Sequence, residues 1–167
     1  MPRSATVTGV DTVSIRVADR EDLLAIHRIE RRSFPQPWPL SAFEGFLDEN
    51  GFLVATEGGS VIGYVVGDIV NGPEGPVGHV KDLAVHPSCR QRGVGRRLLG
   101  RLLEHLNSRP IDHVRLEVRE SNRPAIELYR GFGFRTSRRI PAYYENAEDA
   151  LVMIADPDEG AASSGGP

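Results

Sequence analysis

Cysteine is all but absent. Cys89 stands alone among 167 residues, which excludes an internal disulfide and any metal site built on several thiolates. Lysine is as scarce: Lys81 is the only one, so arginine carries almost all the positive charge in a chain of formal net charge −3. That balance gives no general case for nucleic-acid binding. Arginine suits bidentate phosphate or carboxylate contacts, although drift in composition explains the bias equally well. Long apolar runs are missing too. None approaches the roughly 18 residues of a membrane span, and the N-terminus holds no apolar core of signal-peptide length. The five histidines, His27, His79, His86, His105 and His113, lack the spacing of a ligand set. The expectation is a single cytoplasmic domain with neither membrane attachment nor metal, large enough to bury a core.

What the chain does have is concentrated between His79 and Leu99. Val80, Leu83, Ala84 and Val85 make a short, partly β-branched apolar run that reads as a strand. Pro87 ends it, because proline brings no N–H to a ladder and restricts the residue before it. Arg90-Gln91-Arg92-Gly93-Val94-Gly95-Arg96 follows. Val94, Leu98, Leu99, Leu102, Leu103 and Leu106 then recur at helical spacing, with Arg96, Arg97, Arg101 and Glu104 between them. A helix N-terminus carries several unpaired N–H groups and about half a positive charge. Gly93 and Gly95 let the backbone approach a ligand, and Arg90, Arg92 and Arg96 add charge. The pattern predicts an anion site suited to a pyrophosphate. A glycine turn before a solvated, Arg-rich helix fits the same letters. A nucleotide P-loop is excluded by spacing and by the absence of Gly-Lys-Ser/Thr. The dinucleotide fingerprint lacks its third glycine and following acidic residue.

The flanking chain reads as alternating elements. Residues 1–11 are small and polar, a flexible arm. Thr12–Val17 alternates as a strand, and Asp19 can cap a helix with Leu23, Ile26, Ile29 and Glu30 inward. Pro35, Pro37 and Pro39 break that helix, and Ser41-Ala42-Phe43-Glu44 resembles a capping box for a short helix ending near Leu47. Phe52–Glu57 and Val61–Gly67 form a hairpin about Gly58-Gly59, followed by a loop over 71–76. His113–Val118 alternates as a half-buried strand. Asn122 opens a helix with Pro124 early in it and Ala125, Leu128, Tyr129 and Phe132 inward. A strand runs to Ile140, a loop carries Tyr143 and Tyr144, and Ala150–Ile154 is the last strand. Residues 156–167 have the composition of a disordered tail.

Arg90-x-x-Gly93-x-Gly95, after a Leu-Ala-Val strand and before an amphipathic helix, resembles the acetyl-CoA signature of the GNAT N-acetyltransferases. Cys89 stands where relatives often carry an aromatic. Leu116-Glu117-Val118-Arg119-Glu120-Ser121-Asn122-Arg123-Pro124-Ala125-Ile126-Glu127-Leu128-Tyr129, followed by Gly131-Phe132-Gly133-Phe134, resembles the RimI branch of that family, as do Pro37-Trp38-Pro39-Leu40-Ser41 and the late tyrosine pair. The likeness spans residues 12–155. It implies an α/β (α+β mixed) GNAT fold, a mixed and mostly antiparallel sheet of about seven strands flanked by about four helices. It also implies acetyl-CoA as co-substrate, with no metal. Leu83, Ala84 and Val85 would offer backbone to the pantetheine arm. Arg90, Gln91, Arg92, Gly93, Val94, Gly95 and Arg96 would surround the pyrophosphate, and Asn122 would also contact CoA. Glu117 would be the general base and Tyr129 the general acid, while Phe34, Trp38, Tyr143 and Tyr144 would border the acceptor peptide. RimI enzymes acetylate the N-terminal amine of a ribosomal small-subunit protein, and archaeal relatives acetylate many protein N-termini. The implied partner is a protein N-terminus or peptide, with a ribosomal protein among the candidates, for a monomer or weak homodimer that binds neither nucleic acid nor membrane.

These residue types suit that chemistry. An α-amino group has a pKa of about 7.7–8.0, so much of it is protonated at neutral pH and a base within reach must deprotonate it. Glu117 qualifies where burial raises its pKa. A strand N–H near Leu83 would stabilise the oxyanion, and a phenol such as Tyr129 would protonate the departing thiolate. Plainer roles fit as well. Glu117 shares a polar strand face with Arg115 and Arg119, as a solvated carboxylate would. Tyr129 lies on an apolar stripe, Asn122 is a good N-cap, Phe34 and Trp38 can plug a core, and His79 reads as a strand residue or a second base. The alternatives in function are a GNAT acting on lysine side chains or small amines, and a CoA-binding sensor without turnover.

Overall fold

The computed structural model describes residues 12–157. Along them run β1 (Val13–Val17), α1 (Leu23–Ser33), α2 (Leu40–Glu44), β2 (Phe52–Glu57), β3 (Ser60–Gly72), β4 (Gly75–Val85), α3 (Val94–Asn107), β5 (Val114–Arg119), α4 (Arg123–Arg130), β6 (Arg135–Ile140) and β7 (Ala150–Ala155). This is the order of elements that periodicity and breakers predict. The arm at 1–11 and the tail from 158 lie outside the described residues.

The seven strands form one sheet in the order β1-β2-β3-β4-β5-β7-β6. β1 pairs antiparallel with β2, and β7 pairs antiparallel with both β5 and β6, while β4 and β5 run parallel. A parallel pair needs a crossover, and α3 supplies it. The parallel register matches Gly78 to Val114, His79 to Arg115 and Val80 to Leu116. Beyond Val80 that register stops, although β4 continues to Val85 and β5 to Arg119.

Two compact units divide these elements. One holds residues 12–65 and Leu83–Leu99; the other holds Val66–Asp82 and residues 100–157. The first is cored by Ile26, Phe43, Phe52, Val54, Tyr64, Leu98 and Leu99, and the second by Leu102, Leu106, Leu116 and Met153, all fully buried. In the second unit α3 lies so close to β3 that a Cβ on Gly67 would sit 2.7 Å from Leu102 Cδ2 and 3.1 Å from the His79 carbonyl. Glycine in mid-strand is what permits that approach.

Local chemistry explains the boundaries. Asp19 does cap, through a 3-10 turn over Arg20–Asp22: its side chain accepts from Glu21 N–H at 3.0 Å, and Asp22 accepts from Asp19 N–H at 2.8 Å. Asp22 is buried, and Arg16 donates two bonds to it, at 2.7 and 2.9 Å. The capping box expected at Ser41 does not form. Pro39 occupies the N-cap with extended backbone, so Ser41 lies inside α2, where its hydroxyl cannot reach the first N–H groups; the helix ends at Glu44. The loop expected over 71–76 shrinks to Pro73 and Glu74. β3 and β4 extend to the tip, where Gly75 at φ 136° absorbs the reversal.

Candidate active site

The turn between β4 and α3 is shaped by backbone. His86 N–H donates to the Ile62 carbonyl at 2.8 Å, a 3-10 turn runs over Pro87–Cys89, and Gln91 and Gly93 take φ values of 64° and 81°. Gly93 is needed for conformation alone, since an added Cβ would meet nothing within 4 Å. Arg97 N–H donates to the Gly93 carbonyl at 3.1 Å, so the N–H groups of Val94 and Gly95 precede that rung of the helical ladder. Successive amides beside left-handed residues at a helix start make a concave donor set for an anion, and this donor set fits a CoA pyrophosphate.

Two of the arginines expected around the pyrophosphate have protein partners. Arg90 Nε donates to the Val85 carbonyl at 2.9 Å, and its Nη2 reaches Ser33 Oγ at 3.2 Å. Arg92 pairs with Glu57 at 2.5 and 3.1 Å. Both guanidinium groups are turned toward protein partners and brace the turn from outside, because nearby acceptors satisfy their fixed fork geometry. Glu57 in turn is held below the usual carboxylate range by Arg92, with help from the Thr12 hydroxyl. Of the strand residues expected to meet pantetheine, Ala84 is buried, while Leu83 and Val85 are half-buried on the part of β4 past its register with β5.

The second unit assembles a polar face. Along β5, Val114, Leu116 and Val118 point into the core, so Arg115, Glu117 and Arg119 share the opposite face. His79 is in register with Arg115, which places its ring over the same face. His79 Nε2 lies 2.7 Å from Glu117 Oε1, and Arg115 Nε donates to Glu117 Oε2 at 3.1 Å. Burial pushes the Glu117 carboxyl up, but the hydrogen bond and charge of His79 and the charge of Arg115 outweigh it, and its pKa falls below the ordinary glutamate value. The condition set for Glu117 as a base, a pKa raised by burial, is therefore not met. Glu117 is a paired carboxylate, held between the His79 ring and the Arg115 guanidinium.

Tyr129 is buried on α4, with its ring 5.8 Å from Phe134. Burial drives its pKa up, with the charges of Asp82 and Tyr144 adding to the effect, so the phenol keeps its proton. Asn122 caps α4: its side chain accepts from Ala125 N–H at 3.3 Å. Of the expected inner stripe, Tyr129 and Phe132 are buried and Ala125 and Leu128 half-buried, with Ile126 taking an inner place beside them.

Two aromatic pairs have different settings. Tyr143 is half exposed, and Tyr144 meets it edge-on with centroids 4.9 Å apart. Tyr144 is fixed by Arg119, whose Cζ lies 4.0 Å from the ring centroid while Nη1 donates to Asn146 and Glu148, each at 3.0 Å. Burial raises the Tyr144 phenol to about 12, Arg119 opposing and Tyr143, Glu117 and Glu148 adding to it. In the first unit, Trp38 stacks near Phe46 at 5.8 Å and tilts against Phe43 at 5.2 Å, and both Phe34 and Trp38 stay half-buried.

Three residues carry more than their letters suggest. His79 joins Glu117 through a parallel register that no local pattern announces; the alternation of β4, which sets His79 opposite buried Val80, was the available signal. Arg119 shares Glu117's face and grips the tyrosine loop. Glu30, placed inward by helical spacing, proves to be a buried hydrogen-bond hub. Among the described residues no cluster of His, Cys, Asp and Glu could hold a metal ion, and no helix is long and apolar enough to cross a membrane.

Residues 23–134 match the model of the acetyltransferase (GNAT) family. The chain is 37% identical over 152 residues to an N-alpha-acetyltransferase of Sulfolobus acidocaldarius, covering 84% of this chain and 90% of that one. It is 32% identical over 144 residues to the [ribosomal protein bS18]-alanine N-acetyltransferase of Salmonella typhimurium, covering 84% and 95%. Among solved structures, Ard1 from Thermoplasma volcanium superposes with a TM-score of 0.80 at 28% identity, covering 87% of this chain and 97% of that one. A turn built of backbone donors, on a sheet of this order and with relatives matched along most of their length, leads to one conclusion: the chain belongs to the GNAT acetyltransferase family.

Proposed function

We propose that this protein transfers acetyl from acetyl-CoA to the α-amino group of protein N-termini. The observation that carries the proton chemistry is the 2.7 Å contact between His79 Nε2 and Glu117 Oε1 on a half-buried strand face. The choice of an α-amine is supported by the relatives named for N-terminal acetylation, in an archaeon and in a bacterium. Bound acetyl-CoA supplies an activated thioester. Its pyrophosphate is held by the backbone of Gln91–Arg96, with Arg90 bracing that turn, its pantetheine by the backbone of Leu83, Ala84 and Val85, and Asn122 adds a side-chain contact. An ammonium at the acceptor N-terminus must lose a proton before it attacks. The Glu117–His79 pair accepts that proton, the carboxylate orienting the ring and balancing its charge. Tyr129 retains its phenolic proton and gives it to the leaving sulfur. Phe34, Trp38, Tyr143 and Tyr144 border the peptide. A cytoplasmic setting, with a ribosomal protein among the acceptors, fits this reading, as does a monomer or weak homodimer.

A peptide panel tests it: free and blocked N-termini beginning with Ala, Ser, Met and Glu, peptides with an internal lysine, and polyamines. Acetylation of free N-termini alone is the expected result. Transfer only to lysine or polyamine would overturn the acceptor assignment.

A further inference from the structure

Glu30 is one of two charged side chains buried among the described residues, at 2% exposure, and no step above uses it. Burying a carboxylate is costly unless its oxygens are satisfied. Here the Tyr64 hydroxyl donates to Oε1, and Trp38 N–H donates to Oε2 at 2.8 Å. The backbone carbonyl of Glu30 accepts a third bond, from Phe34 N–H at 3.1 Å. One residue thus grips the segment from Phe34 to Pro39 at both of its aromatics. That grip is hard to replace. Pro35, Pro37 and Pro39 have no N–H, so Gln36 and Trp38 hold the only backbone donors from 35 to 39. Tyr64 is itself locked: fully buried, edge-on to Phe43 at 5.6 Å, with Phe43 also 5.2 Å from Trp38. Were packing the only need, an apolar side chain of similar volume would serve at 30 without the cost of burying a charge.

We infer that Glu30 is a positioning residue for acceptor selectivity: clamped to Tyr64, it fixes the loop 34–39 and so the wall against which the first acceptor residue is sorted. This rests on the reading that Phe34 and Trp38 border the peptide. Trp38 is the only tryptophan in the chain, so its fluorescence reports the loop directly, whether or not the enzyme turns over.

The experiment compares the intact protein with Glu30→Met, Glu30→Gln and Tyr64→Phe. Glu30→Met removes both side-chain acceptors at similar volume. Its Trp38 emission shifts to the red and becomes more accessible to acrylamide, the peptide KM rises about tenfold, and the preference among first residues flattens. The KM for acetyl-CoA and kcat at saturation stay near wild type. Glu30→Gln, which keeps an acceptor for Trp38 N–H and an amide for the Tyr64 hydroxyl, restores emission and selectivity. Should Glu30→Met fail to fold, Tyr64→Phe carries the test with a smaller change in the same direction. Unchanged Trp38 emission in a folded variant would overturn the positioning role. Altered emission with unaltered selectivity would overturn the placement of this loop beside the acceptor and leave the positioning intact.

Discussion

The turn at His86–Gly95 and the polar face of β5 are built by opposite means. In the turn, positive φ at Gln91 and Gly93 and the start of α3 aim backbone amides, while the side chains of Arg90 and Arg92 bond Ser33, the Val85 carbonyl and Glu57. On β5 the backbone is ordinary strand, and the chemistry lies in which side chains the register with β4 brings together. A backbone-built site depends on conformation and tolerates exchange of side chains. A site built of side chains depends on the identity of each one and tolerates little. Substitutions that preserve shape should therefore be harmless in one place and damaging in the other.

The largest effect is expected at Glu117. Glu117→Gln keeps the volume and removes the charge that orients His79, so kcat should fall by about 10²–10⁴-fold, with acetyl-CoA affinity unchanged by calorimetry. Turnover within threefold of wild type would remove the pair from the mechanism. At Gly93 the prediction runs the other way. A valine's Cβ there meets nothing within 4 Å, but the residue must adopt φ 81°, a strain of about 1–3 kcal/mol, so Gly93→Val should weaken acetyl-CoA binding by about 5–150-fold while sparing kcat at saturation.

That asymmetry also explains what could be read from the letters. The turn was legible because glycines at 93 and 95, after a strand and before an amphipathic helix, are a local pattern. The order of all eleven elements was legible for the same reason, since alternation, helical stripes and proline breaks are local. The union of His79 with Glu117 was not. It depends on a parallel register set by the whole crossover through α3, and that register gives Glu117 the partner that lowers its pKa. The β3–β4 tip misled because Asn71-Gly72-Pro73 is written like a loop, while pairing of two long strands carried the ladder up to it. Ser41 misled because Pro39 had already started α2.

A smaller effect is expected at Arg119, which serves the polar face at one remove. Arg119→Ala removes the cation from Tyr144 and the bonds to Asn146 and Glu148, so peptide KM should rise about 3–10-fold with kcat little changed. An unaltered peptide KM would mean that Tyr144 does not touch the acceptor. The smallest effect is in stability against pH. Glu117 has a folded pKa depressed below its ordinary 4.5, so its contribution is present above that value and is lost as pH falls through the folded pKa. The Tm gap between wild type and Glu117→Gln should narrow on acidification below pH 4.5 and stay level above it. A gap that widens toward acid would contradict the sign.

The most direct test crosses the two variants against two quantities, acetyl-CoA Kd and the single-turnover rate of acetyl transfer at saturation. Division of labour between a backbone turn that binds and a side-chain face that moves the proton predicts that Gly93→Val shifts Kd alone and Glu117→Gln shifts the rate alone. Both variants moving the same quantity would contradict it.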